Sequence, residues 1–330
     1  MKIDFAFIDG IRINTFLRPR EGEVKIGESI TFAQESIDLS LENFQGDYVL
    51  IGVEEDIGPR ANHGQGGAIF AFKSFLNRFL NMQVNRFIDV DKIMILGRVK
   101  AETMESGYAK RRENVAELDA FLIDILQKVY HYNKIPVLVG GGHNNAYPLI
   151  AAYAKSKQKP LDVVNLDAHA DFRPLEGRHS GNSFSYAKHE QYLNQYTIHG
   201  LHKAYNSESM LKEMEENDVA YTVFEDYIDG IRNLNEDAID FAKKHLSEPF
   251  GVELDMDAIA MMPSSAYTPS GWTVNDARAW LINLTKNKKP AYLNLTEGAC
   301  ELDTWSDSIL GKSLAYLVYD LINNKLEDKN

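Results

Sequence analysis

The sequence predicts an α/β fold built on a central, mostly parallel sheet of about eight strands. Three observations carry this reading. Eight short apolar runs recur along the chain, alternating with stretches of helical spacing. Three of those runs end in Asp, His or Gly clusters, the place where parallel sheets keep their sites. A chain of 330 residues, 44% of them hydrophobic, can bury a large core. By pattern alone these fit either a (β/α)₈ barrel or an open doubly wound sheet. Both put their sites at strand C-terminal ends, so the residues there do not choose between them.

Taken in order, residues 1–46 carry no motif and read as irregular, with a turn over 18–23. The first strand is 47–53, followed by a Gly-rich polar loop and a helix over 68–80. A second strand, 93–96, leads to a long amphipathic helix over 106–130, where Val115, Leu118, Leu122, Ile125 and Leu126 form a core-facing stripe. The third strand, 136–139, runs into Gly140-Gly141-Gly142-His143, where a helix begins. The positive end of that helix is expected to lower the His143 pKa and favour the neutral imidazole. The glycine run lacks the lysine or spacing of a phosphate loop. The fourth strand, 163–166, precedes a polar loop over 172–184. Strands at 196–200 and 220–224 follow, with His199 and His202 read as structural. The seventh strand, 250–254, and the eighth, 291–295, flank a helix capped by Thr273 that ends at 284. A last helix covers 307–322, and residues 325–330 read as a frayed end.

The net charge of −13 argues against nucleic acid and acidic membrane surfaces as partners. The single cysteine, Cys300, excludes an internal disulfide and fits a reducing, cytoplasmic setting. Asp4 and Asp9 break any signal-peptide pattern, and no apolar run approaches the ~20 residues of a membrane span.

The chemistry lies at three strand ends. Val163-Val164-Asn165-Leu166 leads into Asp167, His169 and Asp171; Gly251-Val252-Glu253-Leu254 leads into Asp255 and Asp257; the third strand leads to His143. Asp167 and His169, two residues apart, share one face of an extended chain. So many carboxylates at strand ends repel one another unless a cation neutralises them. An oxygen-rich set with two imidazoles and no thiolate suits Mn²⁺ rather than a structural zinc. Six ligands suit two ions better than one ion with an open position.

Asp-Ala-His-x-Asp at 167–171, Gly-Gly-x-His at 140–143 and Asp-x-Asp at 255–257 resemble the ureohydrolase family of arginases, agmatinases and formimidoylglutamases, over residues 47 to about 310. The resemblance selects the open sheet, a three-layer αβα arginase-like fold, with residues 47–330 as one catalytic domain and 1–46 as an extension. It implies a binuclear manganese hydrolase of amidines or guanidines. Asp167 and Asp255 bridge the two ions, with His143 and Asp171 completing one and His169 and Asp257 the other; a water between two dications is acidified to hydroxide. Glu297 matches the carboxylate that binds the cationic substrate, and Asp171 is the proton carrier. Arg60 and Asn62 are expected loop contacts. Arg173, Ser180 and Asn182 are expected substrate contacts. Arg173 and Phe184 match formimidoylglutamase, whose products are glutamate and formamide; Asn182 leans toward arginase. Where the family has a small residue, this chain has Glu253. Relatives are commonly trimers or hexamers. A metal-binding subunit without turnover is the competing class.

Overall fold

The apolar runs are strands of one sheet. The computed structural model describes residues 1–8, 10–103, 107–245 and 249–324. Among them, ten strands are β1 (Lys2–Ala6), β2 (Thr31–Phe32), β3 (Tyr48–Glu54), β4 (Ile93–Glu102), β5 (Ile135–Val139), β6 (Leu161–Leu166), β7 (Leu193–Leu201), β8 (Ala220–Val223), β9 (Gly251–Asp255) and β10 (Tyr292–Thr296). Their order is β1-β4-β3-β5-β10-β9-β6-β7-β8, with β2 beside β4. Only β1 is antiparallel to its neighbour. The edges at β1 and β8 stay open, so the barrel alternative is excluded.

The central strands are apolar on both faces because helices cover both. Leu50, Val137, Val164, Leu254 and Leu295 face a core shared with the helices Ala71–Phe79, Leu234–Lys244, Val274–Thr285 and Trp305–Asn323. Val49, Ile51, Leu138 and Val163 face a second core shared with the helices Tyr108–His131, Ala146–Lys157 and Ser183–His189. The result is the three-layer αβα sandwich that the resemblance implied.

Two readings are corrected. Residues 1–46 are not irregular: β1 pairs with β4 from Lys2↔Glu102 to Ala6↔Arg98. For the same reason β4 continues past residue 96, where the apolar run stops, through Gly97 (φ +152°). An added Cβ at Gly97 would sit 2.5 Å from the Ala6 carbonyl oxygen, so the close approach of β1 needs glycine there. Ser106, the expected start of the long helix, and the expected frayed end lie outside the described residues. Among the described residues, no helix is long and apolar enough to cross a membrane.

Candidate metal centre

Strand register assembles the site. Val139, Leu295, Leu254 and Leu166 form one row across β5, β10, β9 and β6. The chain beyond that row carries Gly140–His143, Glu297, Asp255–Asp257 and Asp167–Asp171. Sequence neighbours β5 and β6 are separated by β10 and β9, so the site occupies the crevice where the connections diverge.

All six expected ligands converge there. His143, Asp167, Asp171 and Asp255 place one ligand atom each within 4.8 Å of the others; Asp167, His169 and Asp257 form a second such group. Asp167 belongs to both, while Asp255 belongs to the first only. The His143 Nδ1 lies 3.3 Å from Asp167, 2.9 Å from Asp171 and 3.0 Å from Asp255. The His169 Nδ1 lies 3.6 Å from Asp167 and 3.4 Å from Asp257. Local bonds hold the carboxylates: Asp167 accepts the His169 N–H at 2.7 Å and Asp255 accepts the Asp257 N–H at 2.8 Å. Asp171 is held in the left-handed region, φ +47°, a conformation that costs a non-glycine residue energy.

The electrostatics fit a cation site. Burial, followed by repulsion from Asp257 and Asp167, pushes the Asp255 carboxyl well above the usual range. Burial also raises Asp171, against its bond to His143. Burial opposes charge on Asp167, yet contacts with His143 and His169 pull it low. In the metal-free protein, burial works against charge on His143, but Asp167, Asp171, Asp255 and Glu253 outweigh it and hold the pKa well above the ordinary value. With no cation bound, this direction is opposite to the one expected from the helix end alone. The helix end contributes about half a charge, whereas four carboxylates lie within 3.5 Å. The cluster therefore holds more negative charge than it neutralises, and its oxygen-rich donor set fits divalent manganese.

A cavity of about 350 Å³ opens onto the cluster, lined in part by Asn62, Arg173, Ser180, Tyr205, Ser265 and Glu297. Glu297 (φ +60°) accepts the His143 N–H at 2.7 Å and the Ser265 hydroxyl. Burial raises its carboxyl to about 8, against those two bonds. Arg173 is exposed at the cavity wall. Ser180 also lines it, 3.5 Å from the Asn62 amide. Arg60 instead pairs with Asp56 at 3.0 Å.

Asn182 is a correction. It is fully buried and does not line the cavity. Its amide oxygen accepts from Arg178 at 2.6 Å and from the His179 N–H at 3.0 Å, and its nitrogen donates to the Gly177 carbonyl at 2.8 Å. It folds the loop and is not available to a substrate.

Sequence reasoning missed Glu55 and Ser265. Fully buried Glu55 accepts the Gly142 N–H at 2.7 Å, the Ile57 N–H at 2.6 Å and the Asn145 amide at 3.2 Å. The glycine run thus wraps a carboxylate of the chain itself: a Cβ at Gly141 (φ +76°) would sit 2.9 Å from Glu55. A buried acid directly after a strand was the available signal. Ser265 lies in a loop with no pattern to mark it.

An open αβα sheet carrying two carboxylate–imidazole groups at its switch point defines a binuclear metal site of the ureohydrolase type. The chain belongs to the arginase family, whose model matches residues 46–320. It is similar to the formimidoylglutamase of Staphylococcus carnosus, 27% identical over 227 residues that span 68% of this chain and 70% of the relative. It is also similar to that of Geobacillus thermodenitrificans, 28% identical over 258 residues, 75% of each chain. Its fold is similar to the crystal structure of formimidoylglutamase from Bacillus subtilis, with a TM-score of 0.73 and 16% identity over 96% of this chain and 98% of the other. The Trypanosoma cruzi formiminoglutamase with Mn²⁺ gives a TM-score of 0.68 and 19% identity over 88% and 98%.

Proposed function

We propose that this chain is a binuclear manganese hydrolase of linear amidines that converts N-formimidoyl-L-glutamate to L-glutamate and formamide. The observation that carries the reading is the pair of ligand groups sharing Asp167 beneath a cavity lined by both Glu297 and Arg173. His143, Asp167, Asp171, His169, Asp255 and Asp257 would hold two Mn²⁺ ions, which supply an acidified solvent molecule when bound. Glu297 orients the amidinium; the cation in turn keeps the carboxylate ionised. Arg173 pairs with a substrate carboxylate, a charge that agmatine lacks. Asp171, touching His143 and lining the cavity, carries a proton to the leaving nitrogen. The similarity to proteins named formimidoylglutamase supports this choice of substrate. Asn182, the residue that leaned toward arginine as substrate, lies buried in the loop. The same reading places the enzyme in the cytoplasm as a homo-oligomer, a trimer or hexamer, which light scattering measures.

The test is turnover by the manganese-loaded protein of formimidoylglutamate, arginine and agmatine. Formimidoylglutamate is expected to be the best substrate. Arg173→Ala removes a charged contact of about 1.5–3 kcal/mol, less what solvent screens, so kcat/KM should fall by roughly fivefold to a hundredfold. An unchanged kcat/KM removes that contact. Preferred turnover of arginine replaces the substrate, and no turnover despite two bound ions favours a binding role.

A further inference from the structure

A second tier of polar residues lies one step beneath the ligands. Asn294, Glu253 and Asn165 form a row across β10, β9 and β6. All three are fully buried, in strands whose other residues are largely apolar. Strand alternation puts Glu253 on the same face as Asp255, and Asn165 on the same face as Asp167. Asn165 donates to Asp167 at 2.9 Å, so one member of the row already holds a ligand.

Glu253 is the charged member, and a buried carboxylate is costly without a use. Tyr292 donates its hydroxyl to one oxygen at 2.6 Å, and the Asn294 amide donates to the other at 2.7 Å. That second oxygen lies 3.5 Å from the His143 Nε2. Among the described residues the buried Nε2 makes no hydrogen bond, and the Glu253 oxygen is the carboxylate beside it, whereas Nδ1 faces the three aspartates. Phe184 stands edge-on to the ring, 5.2 Å between centroids. A carboxylate can only accept, so the Glu253 oxygen beside Nε2 favours the tautomer that carries its proton there.

We infer that Glu253 is a positioning residue that holds the Nε2 proton of His143, presenting Nδ1 as the donor to the ion on the Asp171 side. This rests on the two-ion reading above. A carboxylate behind a ligating imidazole fixes its tautomer and raises its basicity, and losing such a partner typically costs 10–100-fold in metal affinity.

The experiment is Mn²⁺ titration of the full chain, with free Mn²⁺ read by electron paramagnetic resonance, alongside urea melts without metal. Glu253→Gln is isosteric and keeps an acceptor but loses the charge; one of the two ions should bind about tenfold more weakly, the other within twofold of the parent. Glu253→Leu removes the acceptor, and the same ion should weaken by up to about a hundredfold. Should the Leu variant fail to fold, the Gln variant decides alone. A Gln variant that binds both ions like the parent overturns the inference and leaves the metal centre standing. Equal weakening of both ions overturns it too, because that is what general loosening of the core produces. A parent protein that binds no Mn²⁺ overturns the two-ion reading and this inference with it.

Discussion

Replacing Arg178 with Met should cost more than any other single change in the cavity loop. Arg178 is 5% exposed. It donates to Asp119 at 2.9 Å, to the Asn182 amide oxygen at 2.6 Å and to the Asn144 carbonyl at 3.0 Å. Its guanidinium stacks over the rings of Tyr147 and Tyr186, 4.7 and 5.1 Å from their centroids. One side chain thus ties the helix Tyr108–His131, the cavity loop and the segment after His143 together. Met keeps the apolar stem and strands Asp119, whose other oxygen already lacks a partner. Removing one partner of a buried pair costs about 3–5 kcal/mol. Protonation limits this loss. Burial raises the Asp119 carboxyl to about 6 even with Arg178 pulling it down, and without Arg178 it rises further. The folded variant then keeps a proton that the unfolded chain, near 3.8, has released. Stability therefore falls as pH rises toward the folded value. Urea denaturation of metal-free protein should show a larger loss at pH 8 than at pH 6, and Asp119→Asn combined with Arg178→Met should recover much of it. A loss below about 1 kcal/mol, within the range of an exposed pair, or a larger loss at pH 6, would refute the reasoning.

Two further outcomes follow from the geometry. Among the described residues, Asp167 is the candidate ligand common to both groups, so Asp167→Asn should weaken both ions after Mn²⁺ loading and dialysis. Asp257→Asn should weaken mainly one, and metal analysis that finds the two variants alike would count against a shared Asp167. Burial lowers His199 to about 4 from its ordinary 6.5, and its Nδ1 accepts the Trp280 N–H at 2.9 Å. The folded state keeps this ring neutral, so its contribution is whole above pH 6.5 and drains away by pH 4, up to about 3 kcal/mol. His199→Gln should flatten the loss of urea stability across that window; an equal slope in parent and variant would assign the acid sensitivity elsewhere.

The donor set was legible because metal chemistry demands residue types that strands otherwise avoid. Acids and histidines at the ends of Val- and Leu-rich runs stand out without coordinates, and both core faces follow from the same runs. What the chain order hid was pairing at a distance. β1 was unreadable because a half-buried edge strand has no strong apolar pattern, and only its partner reveals it. Asn182 looked like a substrate contact because loop polarity does not say which way an amide points; Arg178 decides that.

By itself, the sequence determined the candidate ligand residues, the α/β class and the apolar stripes, since each depends on residue type and local period. The tertiary structure alone decided how the six candidate ligands divide into two groups around Asp167, which direction the His143 pKa moves while no cation is bound, and which loop residues reach the cavity. Those depend on strand register and on distances of a few ångströms between segments far apart in the chain, and Coulomb and hydrogen-bond energies change steeply over such distances.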